Sequence, residues 1–332
     1  GRSEGNPLRD PTVRAEPLAS KYIAVANEAL TPLSDKIERW LSDASMTEKT
    51  GIEYRGAVRE FLTWNDGEAF SEQVTRRFAG RYVAENLQQR GLQPASINRK
   101  VVALSSFWQW LARRGFAEEN VWSGQGVAIH KNQRGGGRQQ EAEREFTDVE
   151  VSKVLRNAPD ATMRDFVLML LLTGMRREEP AKLCVGDIQN GSFIVREGKN
   201  TNAPRSVPIH PALADVIARR SEGKDDDEYL FEELRENSKG KRSDAIGKRF
   251  TRVRRKIGVS EQGRGRRDRV NLHSARRWFE TTAEKAGQPP WIIEAVCGQS
   301  RSGMFGRYSG GPSHDQKRAC VEAVRLPDQA ER

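Results

Sequence analysis

Apolar residues recur along most of this chain at steps of three and four, the spacing of one face of an α-helix. The clearest run begins near Ala95, where Ile97, Val101, Leu104, Trp108 and Leu111 line one side while Arg99 and Lys100 stand off it. Arg113 and Arg114 end that helix, where cations suit the negative end of the dipole. Upstream, Ser45 to Glu48 reads as a capping box ahead of Tyr54, Val58, Phe61 and Leu62, and a further helix is expected from about Ser71 to Gln89. Thr147 to Glu150 is a second capping box, leading into Val151, Val154 and Leu155. The run from Phe166 to Leu172 is apolar all round, as suits a helix at the centre of a domain. Between Ser192 and Ile209 the pattern changes. Phe193, Ile194 and Val195 predict a short strand, Ser206, Val207 and Ile209 its return, and the turn from Gly198 to Pro204 carries Lys199. A further amphipathic helix spans Ser243 to Gly258, with Ile246, Phe250, Val253 and Ile257 on one face and Lys248, Arg249, Arg252, Arg254, Arg255 and Lys256 on its other sides.

These elements predict a mainly α protein with a small antiparallel β-sheet, and 332 residues suggest about two domains. Residues 1–32, rich in Gly, Pro and charge and without a sustained period, read as a flexible N-terminal arm. Residues 33–122 form a helical domain. Residues 123–145 contain Gly135, Gly136 and Gly137 and almost no large apolar side chain, the composition of a linker. Residues 146–310 form a mixed helical and β domain, and 311–332 a C-terminal tail in which Ala319, Val321, Val324 and Leu326 make one apolar helix face.

Charge changes the picture by pointing to a partner. Lys and Arg number 56 against 46 Asp and Glu, a net charge of +10, which favours a polyanion and nucleic acid first. Arg264, Arg266, Arg267 and Arg269 extend the positive stretch up to His273, and so many cations repel one another unless an anion neutralises them. Cys184, Cys297 and Cys320 never form a C-x-x-C pair, so neither a disulfide framework nor zinc is expected, and a reducing cytoplasm fits. The four histidines are too scattered for a metal cage, and no cofactor is expected. No apolar run reaches membrane-spanning length and no signal-peptide pattern is present; the chain starts with Gly1 rather than Met, as a trimmed or tagged chain would.

The candidate chemistry lies in His273, Arg276 and Tyr308, in that order, with Arg176 and Lys199 upstream. A phenol can attack phosphorus, two guanidiniums can bind non-bridging oxygens, an ammonium can protonate a leaving oxygen, and an imidazole can manage protons. Tyr22, Tyr54, Tyr82 and Tyr229 lack comparable surroundings, which leaves Tyr308 as the nucleophile. Arg177 competes with Arg176 for the role of clamp, and Lys182 and Arg205 compete with Lys199.

Thr173-Gly174-Met175-Arg176-Arg177-Glu178-Glu179 resembles the T-G-x-R-x-x-E pattern of the tyrosine recombinases, the phage integrase family. His273-Ser274-Ala275-Arg276 matches its H-x-x-R box, and Gly198-Lys199 resembles its lysine hairpin. Gly298-Gln299 stands where the family usually has G-H, with Tyr308 nine residues beyond. The resemblance runs from about residue 33 to 325. It implies a helical core-binding domain and a mixed α/β catalytic domain closing around duplex DNA, with protomers paired on one recombination site and four in synapsis. It implies site-specific DNA strand cleavage and rejoining through a covalent 3′-phosphotyrosine on Tyr308. Arg176 and Arg276 would clamp the phosphate, Lys199 would protonate the departing 5′ oxygen, His273 would assist proton transfer, and Glu179 would orient its neighbours. Gln299 departs from the pattern, since a glutamine donates a hydrogen bond but carries neither proton nor charge. Arg99, Lys100, Lys248, Arg252, Arg255, Arg264 and Arg266 are the expected DNA-backbone contacts. The tail helix would dock on a neighbouring protomer, or fold back on its own domain. The first 32 residues are expected to be too short for the separate arm-binding domain of many phage integrases. A type IB topoisomerase and a DNA-binding protein on a recombinase scaffold with weak or lost catalysis are the alternative activities. The expected location is the cytoplasm, on the nucleoid.

Overall fold

A computed structural model describes residues 30–65, 67, 69–128, 143–196, 204–238, 240–262, 268–299 and 310–328. The chain divides into two compact units, residues 1–134 and 135–332.

In the first unit, helix α1 (Leu33–Asp43) packs Leu33, Ile37 and Trp40 inward. Helix α2 (Glu48–Trp64) follows, but its cap is Thr47, whose hydroxyl accepts from the Thr50 backbone at 3.3 Å. The expected box at Ser45 does not form, because the chain turns tightly there, with Met46 N on Ala44 O at 2.6 Å, and Glu48 becomes the first helical residue. The expected helix from Ser71 is also broken. A 3₁₀ turn at Ser71–Gln73 ends at extended Val74, and helix α3 (Arg76–Arg81), capped by Thr75, continues as a π-helical turn over Tyr82–Gln88. Helix α4 (Pro94–Arg113) starts with proline in its first turn, where no donor is lost. It buries Ile97, Val101, Leu104, Phe107, Trp108 and Leu111. Phe61 centres the core, with Tyr82, Trp122 and Trp108 rings edge-on at 5.1, 5.2 and 5.8 Å.

The second unit opens with α5 (Asp148–Arg156), whose capping box joins Thr147 and Glu150. Helix α6 (Ala161–Thr173) is buried on all sides from Phe166 to Thr173, as its apolar run predicts. Asp165 on this helix is buried too, held by Arg219 and Arg220 of α8 (Ala214–Ser221). A short helix α7 (Glu178–Lys182) leads to a three-stranded antiparallel sheet of β1 (Ile188–Gln189), β2 (Ser192–Val195) and β3 (Arg205–Pro208), in that order. Strand β1 is too short to show a period. Its link to β2 is Asn190-Gly191, both at positive φ (48° and 69°), the two-residue turn that right-twisted hairpins favour.

Helix α9 (Asp244–Lys256) buries Ile246 and Phe250, as expected, together with Arg254. Arg254 was expected among the outward cations, but it is 3% exposed because Asp268 meets its Nη1 at 2.5 Å inside the unit. Helix α10 (His273–Lys285) packs on α6, and α11 (Pro290–Cys297) packs on α10. The C-terminal helix α12 (His314–Glu322) lies on α11 and β3 of its own unit. Its inward residues are Cys320 and Val321, followed just past its end by buried Val324 and, at the margin, Leu326, whereas Ala319, expected on that face, is exposed. Two histidines fasten it. His314 Nε2 meets Ser192 Oγ and His210 Nε2 meets Val324 O, each at 2.9 Å.

Candidate phosphate-binding site

The site is built where three elements of the second unit end. Helix α6 stops at Gly174, whose left-handed backbone (φ 61°) reverses the chain. A Cβ at Gly174 would lie 2.6 Å from Phe279 Cδ1 and 2.8 Å from Cys297 Sγ, so only glycine fits. Two residues on, Arg176 emerges from the buried Met175 with its side chain 27% exposed. Arg177 is exposed and lies against Gly247. Glu179, on the first turn of α7, accepts from the Arg176 backbone at 2.8 Å and from Arg176 Nη1 at 3.2 Å.

Arg205, at the start of β3, completes this arrangement from the other side. Its Nη1 and Nη2 donate to the two Glu179 oxygens at 3.1 and 2.7 Å, a bidentate pair with both side chains almost fully buried. Burial pushes the Glu179 carboxyl up, but the Arg205 hydrogen bonds and charge, with help from Arg176, hold it below its ordinary value.

Helix α11 supplies the common anchor. Arg205 Nε donates to Val296 O at 3.0 Å, Arg276 Nη1 to Cys297 O at 2.6 Å, and Arg176 Nη2 to Gly298 O at 2.8 Å. Three consecutive carbonyls at the negative end of one helix therefore each receive a different guanidinium. Gly298 makes this possible. It is left-handed (φ 65°), and a Cβ there would sit 2.7 Å from Arg205 Cζ.

Arg276, on α10, is 3% exposed and reaches back to Gly174 O at 3.1 Å. Its Nε meets Glu280 Oε1 at 3.1 Å, and the same oxygen takes the Gln299 amide at 2.5 Å. His273 begins α10, with its backbone N–H on Asn271 Oδ1 at 2.7 Å. The residue keeps solvent access, yet partial burial of its ring, followed by the charges of Arg276 and Arg277, lowers its pKa. A cleft of about 590 Å³ opens here, lined among others by Arg176, Arg177, Asn271 and His273. Its walls carry the positive charge of Arg176, Arg177 and Arg254, tempered by Glu143 and Asp268, which suits a bound oxyanion.

The structure thus brings Arg176, Arg276, Glu179 and Gln299 into one hydrogen-bonded cluster, with His273 at the rim of the same cleft. Lys199 and Tyr308 lie outside the described residues, as do Arg264 and Arg266. Arg205, a sequence rival for the lysine's role, is instead buried and fully engaged with Glu179 and Val296. Glu280 carries no motif, and its involvement is visible only in the fold. Among the described residues, no group of three His, Cys, Asp or Glu is placed to hold a metal ion, and no helix is long and apolar enough to cross a membrane.

The expected DNA-backbone residues divide. Arg99 is exposed on α4, and Arg252 and Arg255 are exposed on α9. Lys248 is also at the surface, paired with Asp244 one turn earlier at 2.8 Å. Lys100 differs from expectation. It is drawn across to α2, where its ammonium pairs with Glu60, a carboxylate that Arg90 also binds at 2.7 Å. A lysine held in a partly buried ion pair is a poorer phosphate ligand than a free one.

Comparison with known proteins agrees with this geometry. The model of the phage integrase family matches residues 144–311, and that of the phage integrase N-terminal SAM-like domain matches residues 37–115. Tyrosine recombinase XerA of Pyrococcus furiosus is 29% identical over 257 residues, covering 76% of this chain and 82% of that protein. A lambda integrase dimer bound to a COC′ core site shares the fold with a TM-score of 0.62 at 18% identity, over 88% of this chain and 80% of that one. The Tn1549 transposon integrase in complex with circular intermediate DNA does so with a TM-score of 0.60 at 19% identity, over 87% and 98%. With the family model spanning the unit that holds the arginine cluster, the chain belongs to the phage integrase family.

Proposed function

We propose that the protein is a site-specific tyrosine recombinase, and that the arginine cluster at the end of α11 grips the scissile phosphate of duplex DNA. The observation that carries this reading is the anchoring of Arg176 and Arg276 on adjacent carbonyls, which sets two guanidiniums side by side at the end of α11. Attack on a phosphodiester builds negative charge on a five-coordinate phosphorus, and cations placed beforehand lower that barrier.

In this mechanism the Tyr308 oxygen attacks phosphorus, giving up its proton. The new bond joins the tyrosine to the 3′ phosphate while the bond to the 5′ oxygen breaks. Lys199 supplies the proton that the 5′ oxygen takes up. Rejoining runs the same steps backwards with a 5′ hydroxyl as the attacking group, so the bond energy is conserved. His273, with its lowered pKa, is suited to accept and return a proton at the cleft rim. Glu179 and Arg205 hold Arg176 in place. Gln299 donates to a phosphate oxygen without carrying charge. Protomers act in pairs on one site and as four in synapsis, and Arg99, Arg252 and Arg255 follow the DNA backbone.

The test is trapping of a covalent adduct on nicked duplexes, after the cleaved sites have been recovered from a genomic DNA pool. Tyr308→Phe should abolish the adduct and leave duplex binding intact, and Arg176→Ala or Arg276→Ala should each slow it by about 10²–10³. Adduct formation by the Tyr308→Phe chain would refute the assignment.

A further inference from the structure

We propose that Glu280 is a positioning residue of the phosphate-binding site, aiming Arg276 and Gln299 at the anion. The proposal rests on the reading above, in which those two side chains face the phosphate.

Glu280 lies one turn beyond Arg276 on α10, and its side chain is 28% exposed. One oxygen, Oε1, receives both the Arg276 Nε at 3.1 Å and the Gln299 Nε2 at 2.5 Å. The Arg276 Nη1 is occupied by Gly174 O and Cys297 O. Three of the five guanidinium N–H groups are thereby committed, and among the described residues none accepts from Nη2. The edge left for a ligand is fixed by what holds the other two nitrogens, and Glu280 is the one side chain among those acceptors.

The same carboxylate decides which way Gln299 points. An amide has a donor end and an acceptor end of nearly equal size, and an acceptor facing a phosphate would repel it. An ionised carboxylate only accepts, so Glu280 keeps the Gln299 donor end beside Arg276. Charge alone argues the opposite role, since a carboxylate next to an anion site weakens anion binding. Removing Glu280 therefore separates the two possibilities by sign.

The experiment measures binding of inorganic phosphate to the full chain by ³¹P NMR titration, counting the component that Arg276→Ala abolishes. Glu280→Ala should weaken that component about tenfold, the scale of a hydrogen bond to a charged group. In the Glu280→Ala background, Gln299→Ala should add less than about twofold, although on the parent chain it weakens binding by more. Glu280→Gln keeps an acceptor oxygen and should restore most of the loss. Binding that is unchanged or tighter in Glu280→Ala overturns the proposal, as does Glu280→Gln binding no better than Glu280→Ala. If Arg276→Ala itself leaves phosphate binding intact, the underlying site assignment fails, and this inference falls with it.

Discussion

Arg205→Met tests the buried pair beneath the site. In the parent, the Glu179 side chain is 4% exposed and that of Arg205 7%, joined by hydrogen bonds of 2.7 and 3.1 Å. Removing one partner of such a pair costs about 3–5 kcal/mol, because the other charge is left buried. Glu179 keeps its bonds from the Arg176 backbone and Nη1, which places the loss near about 3 kcal/mol, or about 6–12 °C in Tm. The pH dependence has a definite sign. In the parent, the Glu179 pKa is depressed, so its contribution is present above the unfolded value and is lost as pH falls through the folded one. Without Arg205, burial dominates and raises the carboxyl above its ordinary value. The variant's deficit should then be greatest near neutral pH and shrink as the medium becomes acidic enough to protonate Glu179. Urea denaturation of parent, Arg205→Met, Glu179→Met and the double variant at neutral and acidic pH measures this. The double variant should recover much of the loss, since two apolar side chains leave no stranded charge. A deficit independent of pH, and undiminished when Glu179 is also replaced, would refute the reasoning.

Four other outcomes are expected. Gly298→Ala forces a side chain into a left-handed position and against Arg205, so it should destabilise by at least about 1–2 kcal/mol and reduce DNA cleavage; a parent-like Tm would contradict this. Trp278→Phe removes the indole donor to Asp148 at 2.9 Å and should cost about 1 kcal/mol in denaturant melts. His273 should titrate below its ordinary value by NMR, and Arg277→Ala should move it upward because one repelling charge is gone; no movement would show that the charge is screened. Affinity for duplex DNA should fall about 10³–10⁵ between roughly 50 and 200 mM salt if about six to ten phosphates are contacted, and a near-flat response would count against a clamp.

Much of this fold is legible in the chain because burial follows simple periods. The face of α4 and the strands around Phe193 and Val207 are readable because each buries a regular set of side chains, and α6 because its apolar run is unbroken. Helix starts are less so. Ser45 and Thr47 carry equivalent hydroxyls, and the tight turn after α1, which has no signature of its own, selects the second. The motif residues Arg176, Glu179, Arg276 and Gln299 are marked by spacing, but their supports are not. Arg205 and Glu280 gain their roles by approaching residues 26 and 19 positions away, and pairings at such distances leave no local period. The burial of Arg254 is hidden for the same reason, because its carboxylate partner Asp268 is 14 positions away.

The three carbonyls at the end of α11 have a consequence for how this protein tolerates change. A main-chain oxygen cannot be deleted by a codon substitution, so the acceptors for Arg205, Arg276 and Arg176 persist whatever side chains stand at positions 296 and 297. Variation there should act through volume and polarity, since both side chains are fully buried. Fragility is greatest at the one glycine whose curvature presents the last of those oxygens, so a library covering residues 296–298 should admit apolar side chains of similar size at the first two sites, which are fully buried, and almost nothing but glycine at the third.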